Sequence, residues 1–309
     1  MKKVILFNIF ILVFTLFCIE VISLFIYYQK VKSTLELKNN AGFIQEFRYT
    51  KANKYTTDYF SFLFQKHISE NTSKRPIVLL GCSYAEGTGL EDEQNLSYKL
   101  FKKTSRSVFE RAIAGGGPQL ALHQFETGEM KQEVPDAEYI IYVYCDYHLN
   151  RLYGYQMDYI STEVNQRYKL KDNKLVKIKQ PDFPFYYSFF FVKNIQQLIE
   201  NYSTQNEYET YSLFNAVMSE LLTQAKNNYN DVKFVILLYP SANLSHNTNE
   251  IMPQFEIEKL KSMGFIVINA EELTTLPIRR EEYRIGDKDH PSEKAWDAVI
   301  DNLIKELNL

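Results

Sequence analysis

RPIVLLGCSYAEG, residues 75–87, is the stretch that decides the fold. Its first half, RPIVLLG (75–81), is a short apolar run closed by a glycine. That is the pattern of a strand buried on both faces of a sheet. Three more runs of this kind follow downstream. AEYIIYVYC (137–145) is rich in β-branched and aromatic residues, DVKFVILLYP (231–240) is stopped by Pro240, and FIVINA (265–270) is the last. Helix-like stretches lie between and after them, at 207–227, 255–262 and 292–307. Strands that alternate with helices predict an α/β domain in three layers, α/β/α, around a mainly parallel sheet.

The span 151–205 interrupts this alternation. It contains RYKLKDNKLVKIK, which alternates about Asp172 and Asn173 and reads as a β-hairpin. Its lysines suit either an anionic glycan or lipid surface or the solvated face of a hairpin. The expected domain organisation is therefore an insertion around 151–205 within a domain at 75–309. A polar stalk at 31–74 and an amino-terminal segment at 1–30 precede that domain.

Residues 4–28, VILFNIFILVFTLFCIEVISLFIYY, are almost continuously apolar. This exceeds the roughly 20 residues a helix needs to cross a bilayer and is longer than a signal-peptide core, with no small-residue cleavage pattern. The expectation is one transmembrane helix and a single-pass membrane location. Lysines flank both ends of the run, Lys2 and Lys3 before it and Lys30, Lys32 and Lys38 after it. Charge alone therefore sets no orientation.

The formal net charge of -3 argues against a nucleic-acid partner, which calls for a basic excess. Twenty-three tyrosines and 22 phenylalanines suit either a sugar-facing surface or an aromatic core. The three cysteines, Cys18, Cys82 and Cys145, show no CxxC or other metal-ligand spacing and read as small buried thiols, so no metal site is expected.

Three stretches carry chemistry. Ser83 lies on the turn Gly81-Cys82-Ser83-Tyr84, directly after the first strand, where open α/β sheets place their sites. A serine on such a turn exposes its hydroxyl, and the turn's backbone N–H points where an oxyanion can bind. In Gly115-Gly116-Gly117 the backbone can approach a bound group and present further N–H donors. Asp287-Lys288-Asp289-His290-Pro291 precedes the last helix-like stretch. A histidine that deprotonates a serine needs a carboxylate to fix its tautomer, and Asp287, three residues earlier, can turn back to supply one.

In this order and spacing the three stretches resemble the sequence blocks of the SGNH, or GDSL-like, hydrolase superfamily. That family carries a serine in a GDS-type turn after the first strand, a glycine in a second block, an asparagine in a third and a D-x-x-H-P near the carboxyl end. Here Cys82 stands where the family has Asp, and Gly115 or Gly116 takes the second block. The third block, G-x-N-D, is not evident; the chain reads Cys145-Asp146-Tyr147-His148-Leu149-Asn150. Asn150 or His148 is then the candidate replacement for its oxyanion donor. Asp146 with His148 is a rival acid–base pair to Asp287 with His290, as a D-x-H pair serves in the related alginate-acetylation proteins.

The resemblance covers residues 75–309 and implies a flavodoxin-like sheet and no cofactor. It implies a serine esterase or O-acyltransferase working through an acyl-Ser83 intermediate, with Asp287 and His290 as the base. The oxyanion hole would comprise Ser83, Gly115, Gly116 and Asn150. GCSYAEGTGLEDEQNLSY (81–98) looks in particular like anchored proteins of bacterial cell-envelope polysaccharide loci. That likeness implies an acylated carbohydrate or small ester as substrate, O-acetyl groups of an envelope glycan above all, on the extracytoplasmic side. A membrane acyltransferase is the partner it implies. The altered third block leaves a second reading open, a catalytically inactive module on the same fold that binds a glycan or scaffolds a membrane complex.

Overall fold

A computed structural model describes Thr15, Cys18, Ile19, Ile22 and residues 66–69, 73–134, 136–152, 167–178, 207–241 and 251–309. The chain divides into two units, Met1–Gly42 with Gln180–Asn206 and Phe43–Lys179 with Glu207–Leu309.

The first unit corrects an expectation. Among the described residues no helix is long and apolar enough to cross a membrane. Thr15, Cys18, Ile19 and Ile22 are helical, but a spanning element needs about 20 consecutive apolar helical residues, and the remainder of 4–28 lies outside the described residues. The transmembrane helix, and the single-pass, extracytoplasmic location built on it, are accordingly set aside.

The second unit is built on a six-stranded sheet. Its strands are β1 (Lys66–His67), β2 (Ile77–Leu80), β3 (Val108–Glu110), β4 (Tyr139–Tyr144), β7 (Lys233–Leu238) and β8 (Ile266–Asn269), in the order β1-β3-β2-β4-β7-β8. Only β1 runs antiparallel; every other neighbour pair is parallel. Counted along the chain, the five parallel strands stand in the doubly wound order 2-1-3-4-5. The hairpin is present as β5 (Arg167–Lys171) and β6 (Lys174–Ile178). Asp172 and Asn173 between them have φ of 52° and 58°, the two left-handed residues of a tight hairpin turn.

Side-chain alternation along the central strands divides the core in two. Val78, Leu80, Ile140, Tyr142, Phe234 and Ile236 face one layer, where they meet α3 (Pro118–Glu126), α6 (Glu207–Asn228) and α7 (Gln254–Met263). Ile77, Leu79, Ile141, Val143, Val235 and Leu237 face the other, against α2 (Leu96–Thr104) and α8 (Glu293–Leu307). The four strands of the sequence reading, the three helices at 207–227, 255–262 and 292–307, and the layer order are all found. Helix α8 shows why its pattern was readable. Ala295, Trp296, Val299, Ile300, Leu303 and Leu307 form one apolar stripe, and Ser292 caps the start by accepting from Ala295 N–H.

Candidate active site

The site assembles at the carboxyl ends of β2 and β4, where the strand order reverses and open α/β sheets leave a crevice. β2 ends at Leu80, and the chain turns through Gly81 and Cys82 into the short helix α1 (Ser83–Glu86). Gly81 has φ 142°, and a Cβ there would lie 2.8 Å from the Val143 carbonyl oxygen on β4, so the turn admits no side chain. Ser83, the first residue of α1, is 8% exposed.

Ser83 Oγ stands 2.8 Å from His290 Nε2, and His290 Nδ1 is hydrogen-bonded to Asp287 Oδ2. Asp287 holds its own loop together. Its Oδ1 accepts from the backbone N–H of Asp289 at 2.9 Å and of His290 at 3.0 Å, while Lys288 between them takes the left-handed φ of 62°. The loop is closed from outside as well. Ile285 N–H donates to the His290 carbonyl, and Arg284 bonds the Asp289 carbonyl at 2.6 Å and the Pro240 carbonyl, just past β7, at 2.9 Å. The Tyr84 hydroxyl donates to Asp289 Oδ1 at 2.8 Å, and its ring packs edge-on against the His290 ring, with centroids 5.3 Å apart.

The electrostatics follow from these contacts. Burial pushes the Asp287 carboxyl up, but the hydrogen bond and charge of His290 and the two backbone donors outweigh it and hold the group below its ordinary range. Burial, then the charges of Cys145 and Asp289, push the Tyr84 phenol far up, so it stays a neutral donor.

The glycine loop lies against the same turn. A Cβ on Gly116 would fall 2.7 Å from the Ile113 carbonyl oxygen and 3.3 Å from that of Gly81. Gly116 N–H is already given to the Ile113 carbonyl, at 2.8 Å, so of the two glycines it is the one withheld from a ligand. Among the described residues, neither Ser83 nor Gly115 donates its N–H to another backbone group. Gly115 takes φ 75°.

The rival pair sits at the end of β4, in and before α5 (Tyr147–Arg151). Asp146 accepts from the Ser241 N–H at 3.1 Å and from its hydroxyl at 2.8 Å. His148 is wholly buried, with Nδ1 2.7 Å from the Tyr142 hydroxyl. Ser83, Asp287 and His290 are thus brought together, whereas Asp146 and His148 bond other partners. Asn150 lies in α5, and its side chain is outside the described residues.

The sequence reading did not anticipate what surrounds Cys82. Its Sγ lies 3.7 Å from Cys145 Sγ, and both sulfurs and a ring nitrogen of His148 fall within 4.8 Å of one another. These are the residues that could hold a metal. Burial pushes both thiols up; Cys82 ends well below its usual range because Cys145 and His148 bond it and the Arg151 guanidinium places positive charge beside it. The available signal was Cys145-x-x-His148, a ligand-like spacing at a strand end. The sequence reading, which found no metal-ligand spacing at any of the three cysteines, passed over it.

No family model and no curated protein matches the sequence. Among solved structures the chain is similar to a G-D-S-L family protein from Desulfitobacterium hafniense, at 10% identity over 75% of this chain and 99% of that one, with a TM-score of 0.44. It is also similar to an acetyl xylan esterase from Butyrivibrio proteoclasticus, at 12% identity, 76% and 63% coverage and a TM-score of 0.44. A family two carbohydrate esterase from Clostridium thermocellum, solved with cellohexaose, gives 8% identity, 76% and 64% coverage and a TM-score of 0.41. Likeness this distant says nothing of the chemistry.

Proposed function

We propose that the protein is a serine esterase or O-acyltransferase that works through an acyl-Ser83 intermediate, with His290 as base and Asp287 as its orienting carboxylate. One observation carries this reading: Ser83 Oγ lies 2.8 Å from His290 Nε2, while the far side of the same ring is bonded to Asp287. With the Nδ1 proton donated to the carboxylate, Nε2 offers its lone pair to the serine hydroxyl.

Ser83 Oγ attacks the acyl carbon, and its proton passes to His290 Nε2. The imidazolium so formed is stabilised by Asp287, which the surrounding donors keep ionised. The C–O bond of the ester breaks as Nε2 returns the proton to the leaving oxygen. A water, or the hydroxyl of an acceptor, then attacks the acyl-serine by the same route in reverse and frees Ser83. The N–H groups of Ser83 and Gly115 are the donors for the oxyanion. Hydrolysis and transfer differ only in which hydroxyl reaches the acyl-enzyme. The substrate class, an O-acylated carbohydrate, comes from the sequence resemblance.

Labelling with a fluorophosphonate serine probe tests the reading. Wild-type protein should be modified at Ser83 alone, and Ser83→Ala should be unreactive. An unreactive wild type that also fails to cleave small acetyl esters would overturn it.

A further inference from the structure

We propose that Cys82, Cys145 and His148 form a site for a single zinc ion, which ties the Ser83 turn to the end of β4. The site is distinct from the serine–histidine pair, and its test does not depend on esterase activity.

The geometry carries the inference. A tetrahedral zinc with Zn–S near 2.3 Å and Zn–N near 2.0–2.1 Å separates two sulfurs by about 3.8 Å, and a sulfur from a nitrogen by about 3.5 Å. The two Sγ atoms already stand 3.7 Å apart. No two of the three donors are more than 4.8 Å apart, so closure onto one ion needs a shift of at most about 1.3 Å. A disulfide, by contrast, would have to draw the sulfurs together to about 2.05 Å.

His148 supplies the second, independent observation. Its side chain is wholly buried, and Nε2 has no hydrogen-bond partner of normal geometry. The Cys82 thiol also reaches this ring, but a thiol is a weak partner, and a buried nitrogen so weakly held is costly unless something stronger occupies it. The other ring nitrogen lies 2.7 Å from the Tyr142 hydroxyl, the outer contact that orients a metal-binding histidine; with Nδ1–H donating to that oxygen, the lone pair is on Nε2. The backbone gathers the donors. His148 N–H donates to the Cys145 carbonyl at 2.9 Å, closing a turn that carries both residues, and Cys82 comes from the neighbouring strand end.

The donor set selects the ion. Two sulfurs and an imidazole with no carboxylate favour thiophilic zinc over magnesium or calcium. Two thiolates neutralise the divalent charge, while the nearby Arg151 guanidinium is bonded to the Gly116 carbonyl at 2.9 Å. Cys82 immediately precedes Ser83, so an ion here would brace the turn that presents the hydroxyl.

The test uses the full chain, reduced and stripped with a chelator, then titrated with zinc or cobalt(II) alone. One zinc should bind per chain, and cobalt should give a thiolate-to-cobalt charge-transfer band. X-ray absorption should show two sulfurs near about 2.3 Å and one nitrogen near about 2.0–2.1 Å. Cys145→Ser should bind zinc more than about a hundredfold more weakly, beyond the usual loss for an outer-shell partner, while Cys18→Ser should match wild type. Folded wild-type protein that takes up no zinc and gives no cobalt band would overturn the proposal, whatever the variants do. So would zinc binding in Cys145→Ser equal to wild type. Tight copper(I) uptake with no zinc uptake would overturn the identity of the ion.

Discussion

Two acid–histidine pairs stand in this chain, Asp146 with His148 after β4 and Asp287 with His290 before α8, and they are put to opposite uses. In the second, the carboxylate bonds its own histidine, and that ring reaches Ser83. In the first, the carboxylate serves Ser241, and the histidine turns to Tyr142 and two sulfurs. Exposure follows the same division: the His290 side chain is 20% exposed and His148 is wholly buried. Residue type and short spacing are common to both pairs. Partners and access to solvent separate them, and a base that must exchange protons with a substrate needs both.

The contrast can be broken most directly at His290. His290→Ala should lower kcat/KM on a small acetyl ester by about 10⁴-fold or more, because the serine hydroxyl is a poor nucleophile without its base. If that variant stays active while His148→Ala is dead, the roles of the two pairs are reversed.

Asp287→Asn comes next, at about 10³–10⁴-fold in kcat. An amide favours the wrong imidazole tautomer, and in a serine protease the same change costs about four orders of magnitude. Circular dichroism should show the variant folded, which separates this loss from collapse of the loop.

His148→Ala should behave in the opposite sense. We expect kcat within about tenfold of wild type but a folding stability lower by about 1–3 kcal/mol, from denaturant midpoints, because the Tyr142 hydroxyl loses its buried partner. A loss of activity without a loss of stability would draw His148 into the reaction.

Acid sharpens the comparison further. The Asp287 carboxyl titrates below its ordinary range in the folded chain. Its contribution is therefore complete above the unfolded pKa of about 3.9 and is lost as pH falls through the lower folded value. The difference in Tm between wild type and Asp287→Asn should be constant above about pH 5 and shrink below about pH 4. A difference that shrinks instead between pH 6 and 7 would assign the linkage to another group.

The smallest effect is expected from Tyr84→Phe, which removes the hydrogen bond to Asp289 but keeps the ring against His290. A loss of roughly twofold to tenfold in kcat, with KM unchanged, fits a positioning role worth about 1 kcal/mol.

The sequence reading missed the short pieces. β3 is three residues, Val108–Glu110, and β1 is two, too short for any periodicity to show. Their strand character comes from pairing: Val108 and Phe109 lie between Ile77 and Val78 on one side and His67 and Lys66 on the other. The acidic residue in β3 also hides it, because Glu110 is buried by accepting from the Ser97 hydroxyl rather than facing water. Helix α3 is likewise absent from the helix-like stretches of the sequence reading, although Pro118 at its first position suits a helix start.

What the sequence determined by itself is local in origin. Apolar runs of four to six residues made strands, the stripe along 293–307 made α8, and the order of Ser83, the glycine loop and Asp287-x-x-His290 marked where a site could form. Such patterns need only neighbours in the chain, because strand burial and helix amphipathicity are written at periods of 2 and 3.6 residues. Tertiary structure alone decided which acid–histidine pair met the serine, that Gly116 would spend its N–H inside a turn, and that Cys82 and Cys145, 63 residues apart, would stand 3.7 Å from each other. Those contacts follow from the strand order that sets β2 beside β4. That order is fixed by the packing of two helical layers over the whole sheet, which no short window of sequence contains.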